Sequence, residues 1–335
     1  SYAKIAKYEG IMKILIIGAA GMIGMRLAKS ITRDAFMGRI NDITLFDVIP
    51  PKIESNKSSY KIKTGDISDP KIISDLISQK PDIIYNLAAI VSGEAEENFQ
   101  KGWDINTKAT WQLLEEIRKE FVASNGSYKP KFIYTSSLAV FSGPYPDAIN
   151  DDFSPNPETS YGAQKLVGEI LISEYSRKGY LDGIALRLPT IVVRPGKPNK
   201  AASSFYSSII REPLNGFEAI LPVPEDLCHW FASPQSAVGF LKHAAKLDFK
   251  KLGNKRSLNL PGVSCSIADQ ILALEGIAGT KVSKLIKRIP DKKIENIVKN
   301  WPQNFIADRA IQLGFSADKN FKEIIKLYID EEINT

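Results

Sequence analysis

Apolar runs alternate with amphipathic stretches along the chain from Met12 to about Leu188. The runs predict strands over residues 13–18, 43–48, 59–64, 82–88, 131–137 and 183–188. The stretches between them have helical spacing and predict helices near 22–33, 69–79, 98–121 and 160–178. Strands that are apolar on both faces indicate a parallel sheet covered by helices. The repeated strand–helix order therefore predicts an α/β fold with a doubly wound parallel sheet.

The pattern changes after Arg194, where prolines break the chain into loops and short helices, at positions 195, 198, 213, 222, 224 and 234. Residues 194–335 are interpreted as mainly a smaller C-terminal lobe, with some segments returning to the core of residues 12–193. The end of the chain is mainly helical, with a closing helix from about Asp318. Residues 1–11 precede Met12 and are expected to be an extension outside the core fold.

Composition narrows the class of protein. The 335 residues are 44% hydrophobic and 24% charged, which is typical of a globular chain and excludes a disordered or collagen-like one. The net charge of +6 is spread along the sequence, so no nucleic-acid partner is expected. The apolar run 14–25 is shorter than the ~18 residues that a membrane helix needs, so no membrane partner is expected either.

The few cysteines and histidines limit the available chemistry. Cys228 and Cys265 are the only cysteines, too few for a disulfide framework and without metal-ligand spacing. A reducing cytoplasm is the expected compartment. With two histidines in the chain, a multi-histidine zinc site is nearly excluded and no metal is expected.

A glycine-rich turn follows the first predicted strand, with the sequence GAAGMIG over residues 18–24. Gly18, Gly21 and Gly24 would permit a tight turn and close approach of a pyrophosphate to the backbone. The helix start at Met22 and Ile23 would supply N–H donors for that anion. A glycine-rich turn without a ligand is the alternative.

Asp47 ends the second predicted strand, 23 residues after Gly24, where an acidic side chain would bind an adenosine ribose. Its carboxylate would repel a 2′-phosphate, so NAD is predicted over NADP. Lys52 and Lys57 lie nearby and favour the opposite choice. Asp47 is otherwise interpreted as a turn residue at the end of its strand.

Two further strand ends carry candidate cofactor contacts, because open α/β sheets bind ligands at the carboxyl ends of their strands. Asp66 and Ile67 follow the third predicted strand, and Leu87, Ala88 and Ala89 follow the fourth. The two alanines would let a cofactor lie against the backbone. Close packing between helix and strand explains them nearly as well.

Tyr161 and Lys165 are four residues apart, so they share one face of a predicted helix. A tyrosine has a reference pKa of ~10, so it can act as a base near neutrality only if its phenolate is stabilised, for example by a lysine ammonium. Ser136 and Ser137 end the fifth predicted strand, where a hydroxyl can hold a substrate oxygen beside Tyr161. A tyrosine and lysine at this spacing are often surface residues, so the hypothesis depends on the glycine loop and the serines together.

These motifs together resemble the extended short-chain dehydrogenase/reductases, in GAAGMIG, Asp66, Tyr134-Thr-Ser-Ser137 and YGAQK at 161–165. The resemblance covers nearly the whole chain from Met12 and implies a Rossmann fold. It implies that Ser137, Tyr161 and Lys165 are catalytic, with Lys165 also binding the nicotinamide ribose. It further implies a proton relay through Asn106, cofactor contacts at the strand ends named above, and a nicotinamide close to Pro189.

One segment departs from the epimerases of that family. Many of those enzymes carry an Arg-Asp-Phe/Tyr-x-x-Val-x-Asp segment near the substrate lobe. The corresponding stretch here, Cys228–Pro234, lacks this acidic pair. A nucleotide-sugar 4-epimerase or dehydratase that retains its NAD stays an alternative. A non-catalytic NAD-binding regulator is a second alternative, which the presence of Tyr161 and Lys165 disfavours.

The lobe sequence is similar to the D-erythronate dehydrogenase branch of the family, in segments 187–200, 201–204, 209–214, 221–226 and 229–234. This similarity implies NAD-dependent oxidation of a small anionic sugar acid, D-erythronate, at carbon 2. Four basic residues and no acidic one lie from Arg194 to Arg211. Either arginine could clasp a carboxylate through two N–H donors. A diphosphate would also suit this segment, as would simple solvation of a basic loop.

The substrate pocket and the assembly can also be predicted from the sequence. Thr190 and His229 are expected to line the substrate pocket together with Ser136, although a packed, hydrogen-bonded histidine is an equal alternative. The family resemblance implies a homodimer, with the helices predicted over 98–121 and 160–178 as the pairing elements.

Overall fold

The computed structural model describes residues 10–33, 36–38, 41–53, 60–197 and 201–334. Most of the predicted extension 1–11, Lys57 and residues 198–200 lie outside the described residues. The strands are β1 Met12–Ile17, β2 Asn41–Asp47, β3 Tyr60–Thr64, β4 Ile83–Asn86, β5 Lys131–Ser137, β6 Asp182–Leu188, β7 Thr190–Ile191, β8 Ala219–Leu221, β9 Cys228–Ala232, β10 Ser257–Asn259, β11 Val263–Ser266 and β12 Ile286–Arg288.

The helices cover the sheet and build most of the lobe. They are α1 Met22–Arg33, α2 Pro70–Ser78, α3 Ser92–Glu97, α4 Phe99–Gly102, α5 Ala109–Ala123, α6 Ser160–Arg177, α7 Ser204–Leu214, α8 Pro234–Lys246, α9 Ile267–Ala278, α10 Thr280–Ser283, α11 Lys292–Val298, α12 Asp308–Gln312 and α13 Phe321–Tyr328. A π-helical turn, Trp103–Lys108, joins α4 to α5. The six strands predicted between 13 and 188 are all present, with ends within two residues of the prediction.

The main sheet has seven parallel strands in the order β10-β6-β5-β4-β1-β2-β3. The chain reverses direction across the sheet between β1 and β4, which is the crevice where doubly wound sheets bind ligands. The predicted fold class is confirmed. β10 comes from residue 257 onward, so part of the C-terminal half does return to the sheet; the boundary near residue 193 stays a prediction.

The side chains of β1 point alternately to the two buried faces of the sheet. Ile14 and Ile16 pack into the cluster under α1 and α8, whereas Leu15 and Ile17 pack into the opposite cluster under α2, α5 and α6. Successive strand residues point to opposite faces, so an all-apolar strand fills both layers.

The lobe has its own core and two small sheets, β11-β9-β7 and β12-β8. Its buried side chains come from α7, β9, α9 and α13, and include Tyr206, Phe231, Ile271 and Ile325. Because β7 follows β6 after a single residue, the lobe is attached directly to the carboxyl edge of the main sheet. Residues of both parts therefore meet at that edge.

Candidate active site

The glycine loop makes room for close contacts of the backbone. Gly18 has a positive φ of 87°, and a Cβ there would lie 2.8 Å from the backbone nitrogen of Ala88. A Cβ on Gly24 would overlap the carbonyl oxygen of Gly18. Helix α1 begins at Met22, so its first N–H groups, including that of Ile23, face the end of the loop. The glycines thus let the loop pack closely against the backbone that follows β4, and the start of α1 offers the N–H donors that an anion would need, so the phosphate cradle stays a prediction.

Asp47 is held at the edge of this loop by two backbone bonds. Its Oδ2 accepts the N–H of Ala20 at 2.8 Å, and its Oδ1 accepts the N–H of Val48 at 2.7 Å. Each carboxylate oxygen has a second lone pair, so ribose hydroxyls can still be bound. Asp47 itself is half-buried. Lys52 is exposed nearby.

The other predicted cofactor positions lie along the same edge of the sheet. Asp66 is exposed after β3, and the N–H and hydroxyl of Ser68 hold the pKa of its carboxyl below the usual range. Ile67 beside it is buried. Leu87 and Ala88 are half-buried after β4, and Ala89 is exposed.

Tyr161 and Lys165 stand on the first turns of α6. Thr159 caps this helix by accepting the N–H of Gly162 at 3.0 Å. A Cβ on Gly162 would overlap the carbonyl oxygen of Ala139, so this glycine lets α6 approach the turn that follows β5. The Nζ of Lys165 lies 5.6 Å from the centroid of the Tyr161 ring.

The end of β5 contacts this pair through Lys165. Buried Lys165 donates to the carbonyl oxygen of Thr135 at 2.7 Å. Ser137 lies two residues further along the strand, and its Oγ accepts the N–H of Ala139 at 3.1 Å. The hydroxyl proton of Ser137 is therefore available for donation to a substrate oxygen.

Burial shifts the two titrating groups of the pair in opposite directions. It raises the pKa of Tyr161 to about 12, while the charge of Arg194 acts to lower it. Burial lowers the pKa of Lys165 to about 7, and the carboxylate of Glu169 acts to raise it. The two pKa values thus move apart, whereas those of free tyrosine and free lysine are nearly equal, and such opposite shifts by burial are common at functional sites.

Asn106 lies in the π-helical turn and clamps the loop after β4. Its Oδ1 accepts the N–H of Ile90 at 2.9 Å, and its Nδ2 donates to the carbonyl oxygen of Ile90 at 3.2 Å. The same Nδ2 donates to Oε1 of Gln164 at 2.8 Å. Gln164 precedes Lys165, so Asn106 is linked to the Tyr161 helix. This partner was missed in the sequence, because the position of Gln164 has no signal of its own.

Ser136 is not brought together with Tyr161. Its hydroxyl donates to Oε1 of Glu169 at 2.6 Å, and Glu169 forms a buried ion pair with Arg187 at 2.8 Å. Arg187 also donates to Asn259 on β10 at 3.1 Å. Strand alternation could have separated the two serines beforehand, since neighbours on a strand point to opposite faces.

Leu188 on β6 pairs with Ser137 on β5. Pro189 and Thr190 follow Leu188, so they lie close to the end of β5. The Oγ1 of Thr190 lies 2.6 Å from Nε2 of His229. His229 is buried, with its ring stacked on Tyr206 at 5.0 Å between centroids. Burial lowers the pKa of His229 to about 3, so the imidazole is neutral near pH 7. His229 is thus a packed, hydrogen-bonded residue, and its place in the substrate pocket stays a prediction.

The two candidate arginines have different surroundings. Arg211 is buried, pairs with Glu212 at 2.7 Å, and donates to the carbonyl oxygen of Arg194 at 2.7 Å. Arg194 is exposed, and its Nε donates to the carbonyl oxygen of Ile191 at 3.2 Å. Arg194 also acts electrostatically on Tyr161, which Arg211 does not. Of the two, Arg194 is the more exposed residue, although burial lowers the pKa of its guanidinium.

No cluster of three or more histidine, cysteine or acidic side chains suited to a metal ion occurs among the described residues. None of their helices is long and apolar enough to cross a membrane.

Fold and site geometry together are those of a doubly wound nucleotide-binding protein with a tyrosine–lysine pair at the sheet edge. A family model described as the NAD dependent epimerase/dehydratase family matches residues 14–224. The chain belongs to this family. The resemblance that its motifs indicated is therefore confirmed.

Relatives are similar over nearly the full length. A D-erythronate dehydrogenase from Cupriavidus necator is 41% identical over 326 residues, which cover 96% of this chain and 98% of that one. A D-erythronate dehydrogenase from Haemophilus influenzae is 40% identical over 322 residues, covering 96% of this chain and 100% of the relative. The crystal structure of a nucleoside-diphosphate-sugar epimerase from Agrobacterium tumefaciens is 46% identical, covers 98% of both chains and has a TM-score of 0.94. The predicted class, an oxidoreductase of a nicotinamide-dependent family, is confirmed.

Proposed function

We propose that this protein is a dehydrogenase that oxidises D-erythronate at carbon 2 to 2-oxotetronate with NAD. The observation that carries the proposal is the Tyr161–Lys165 pair, which Lys165 anchors to β5 two residues before Ser137, on the same sheet as the glycine loop. Two relatives named for this activity, 41% and 40% identical over nearly the whole chain, support the substrate.

The cofactor is assigned to the glycine loop and the neighbouring strand ends. The N–H groups at Met22 and Ile23 would hold the pyrophosphate, and Asp47 the adenosine ribose. Asp66, Ile67, Leu87, Ala88 and Ala89 would line the adenosine half, and Pro189 the nicotinamide half. Bound NAD supplies the hydride acceptor. The charge of Asp47 favours NAD over NADP.

Side chains of the protein would position the substrate and accept its proton. Ser137 donates to the oxygen on carbon 2, and Tyr161 takes the proton from that oxygen as the hydride leaves the carbon, so a carbonyl forms. The ammonium of Lys165 stabilises the phenolate of Tyr161. Asn106, fixed by Ile90 and Gln164, would connect Lys165 with solvent for release of the proton.

The carboxylate of the substrate is assigned to Arg194. A guanidinium binds a carboxylate through two parallel N–H donors, and Arg211 is occupied by Glu212. Thr190, oriented by neutral His229, would hold a second oxygen of the substrate. Ser136 is assigned no direct contact, because its hydroxyl bonds to Glu169.

A second candidate function is a nucleotide-sugar epimerase, favoured by the 46% identical structure of that description. Such an enzyme returns the hydride to its substrate, so it would produce no net NADH. The Cys228-His229 stretch, which lacks the acidic pair of many epimerases, argues for the dehydrogenase.

A homodimer is proposed through α4, α5 and α6. Phe99, Trp111 and Ile170 expose 63%, 51% and 61% of their surface on these helices. An open groove of about 440 Å³ runs between them and includes Trp103 and Leu171. Large exposed apolar faces of this kind mark protein contacts. Sedimentation of the wild type and of Trp111→Glu tests the proposal, with a monomer expected for the variant and a monomeric wild type contradicting it. A cytoplasmic location is part of the same hypothesis.

The deciding experiment measures NADH absorbance after purified protein is mixed with NAD and D-erythronate, L-threonate or a nucleotide sugar. Catalytic NADH formation with D-erythronate is expected. If neither acid gives NADH and NAD stays bound to the protein through purification, the epimerase would be favoured.

A further inference from the structure

Lys165 carries a buried ammonium with few oxygen partners. Its side chain is 1% exposed, and among the described residues its hydrogen bond goes to the carbonyl oxygen of Thr135. An ammonium has three N–H donors, and burying it without compensation is costly. Something other than hydrogen bonding must therefore help to keep the charge in place.

The face of the Tyr134 ring provides that compensation. The Nζ of Lys165 lies 4.6 Å from the centroid of this ring, closer than the 5.6 Å to the ring of Tyr161. A cation within about 6 Å of an aromatic face is attracted by the ring's quadrupole, and the attraction is larger away from water. Tyr134 is fully buried, so both partners are desolvated.

The local sequence allows the ring to reach this position. A Cβ on Gly168 would lie 2.6 Å from the hydroxyl oxygen of Tyr134, so the glycine leaves the space that the phenol occupies. The buried hydroxyl itself has no hydrogen-bond partner among the described side chains and backbone. The ring face, and not the hydroxyl, is thus the part of Tyr134 that acts on Lys165.

We propose that Tyr134 is a positioning residue whose aromatic face keeps Lys165 charged and seated between β5 and Tyr161. This rests on the proposed role of Lys165 in the dehydrogenase, but the contact exists in the protein without cofactor or substrate. The other groups facing Lys165 are Tyr161 and Glu169 on its own helix. Arg187 pairs with Glu169, and Arg194 acts on Tyr161.

The test measures the pKa of Lys165 in NAD-free protein, from the pH titration of its ¹³Cε resonance in lysine-labelled samples, assigned with Lys165→Met. Tyr134→Leu should lower this pKa by about 0.4 to 1.5, the equivalent of one cation–π contact. Tyr134→Phe is the matched control, and it should leave the pKa unchanged because the hydroxyl has no partner. Equal shifts in both variants, or none in either, would overturn the proposal.

A second series of variants keeps the shape of the aromatic ring at position 134 nearly constant. Phenylalanines with one, two and three ring fluorines at position 134 weaken the negative ring face stepwise while the packing stays nearly constant. The pKa of Lys165 should fall with each fluorine. A constant pKa across the series would refute the role of the ring, even if Tyr134→Leu does not fold. Failure of the proposed dehydrogenase would appear separately, as turnover that survives Tyr161→Phe.

Discussion

Ser136 and Ser137 are neighbours in the chain, but their hydroxyls serve opposite faces of β5. Ser136 donates to Glu169 inside a buried network, whereas Ser137 accepts a backbone N–H at the sheet edge and keeps its proton free. Glu169 is in turn paired with Arg187. Two identical side chains thus have different tasks, one structural and one facing the proposed substrate.

Replacing the serines one at a time should lower activity in the Ser137 variant and stability in the Ser136 variant. Ser137→Ala is expected to lower kcat about 10- to 100-fold, because the substrate oxygen loses a donor beside Tyr161. Ser136→Ala should lower the free energy of unfolding by about 1–3 kcal/mol, because a buried carboxylate loses a partner. Steady-state kinetics and urea unfolding of both variants check this. A larger loss of kcat in Ser136→Ala than in Ser137→Ala would refute the assignment.

The two lobe arginines give a similar contrast. Arg194→Met should raise KM for the sugar acid about 10- to 100-fold, because it removes a charged donor pair for the carboxylate. Arg211→Met should mainly destabilise the lobe, since it leaves Glu212 without its cation and breaks the bond to the Arg194 carbonyl. Kinetics and thermal melting separate the effects. The assignment would be contradicted if Arg211→Met kept the wild-type melting temperature and raised KM more than Arg194→Met does.

Asp47 should decide between the two cofactors. Asp47→Asn keeps an oxygen that can accept the N–H of Ala20 but removes the charge, so the preference for NAD over NADP should fall by about tenfold. Asp42→Asn, at the other end of β2, is the control and should leave the preference unchanged. The ratio of kcat/KM for the two cofactors is the measurement. An unchanged ratio in Asp47→Asn would show that another group selects the cofactor.

Local sequence patterns predicted the fold well because they reflect local physics. The apolar run of β5 predicted Lys131–Ser137 at its observed bounds, and Gly18 and Gly24 occupy places that no side chain could fill. The helix predicted over 98–121 is interrupted by the π-helical turn Trp103–Lys108. The bonds of Asn106 to Ile90 and Gln164 fall within this turn, and both partners are at least 16 residues away in sequence.

Site residues that depend on distant partners could not be placed from the sequence. Arg194 and Arg211 are both basic and both near prolines, and they are distinguished by burial and by the ion pair of Arg211 with Glu212. The contact between Thr190 and His229 spans 39 residues. Composition and spacing name such residues as candidates, but tertiary packing decides which of them face a ligand.

Tyr161→Phe tests the proposed base directly. The variant keeps the ring beside Lys165 and removes the group that takes the proton, so kcat should fall about 10²- to 10⁴-fold while NAD binding is preserved. Turnover by NADH absorbance and NAD affinity by calorimetry are the two measurements. Substantial remaining turnover with intact NAD binding would defeat this role for Tyr161.

The buried charge of Lys165 should make the cofactor-free protein less stable in acid. The folded-state pKa is about 7, below the value of ~10.4 for an unfolded lysine, so between these values the unfolded chain holds a proton that the folded chain has lost. The free energy of unfolding should therefore gain from this residue as the pH rises through that window, and the penalty is complete below pH ~7. Lys165→Met should stabilise the protein by an amount on the order of a few kcal/mol at pH ~6 and by much less near pH ~10.

Exposed Lys178 at the end of α6 offers the control for this prediction. Lys178→Met should follow the wild type at every pH, because a solvated ammonium has no burial penalty to relieve. Urea unfolding of the three proteins across the pH range gives the comparison. If Lys165→Met and the wild type differ by a constant amount at all pH values, the ammonium of Lys165 is not destabilised by burial.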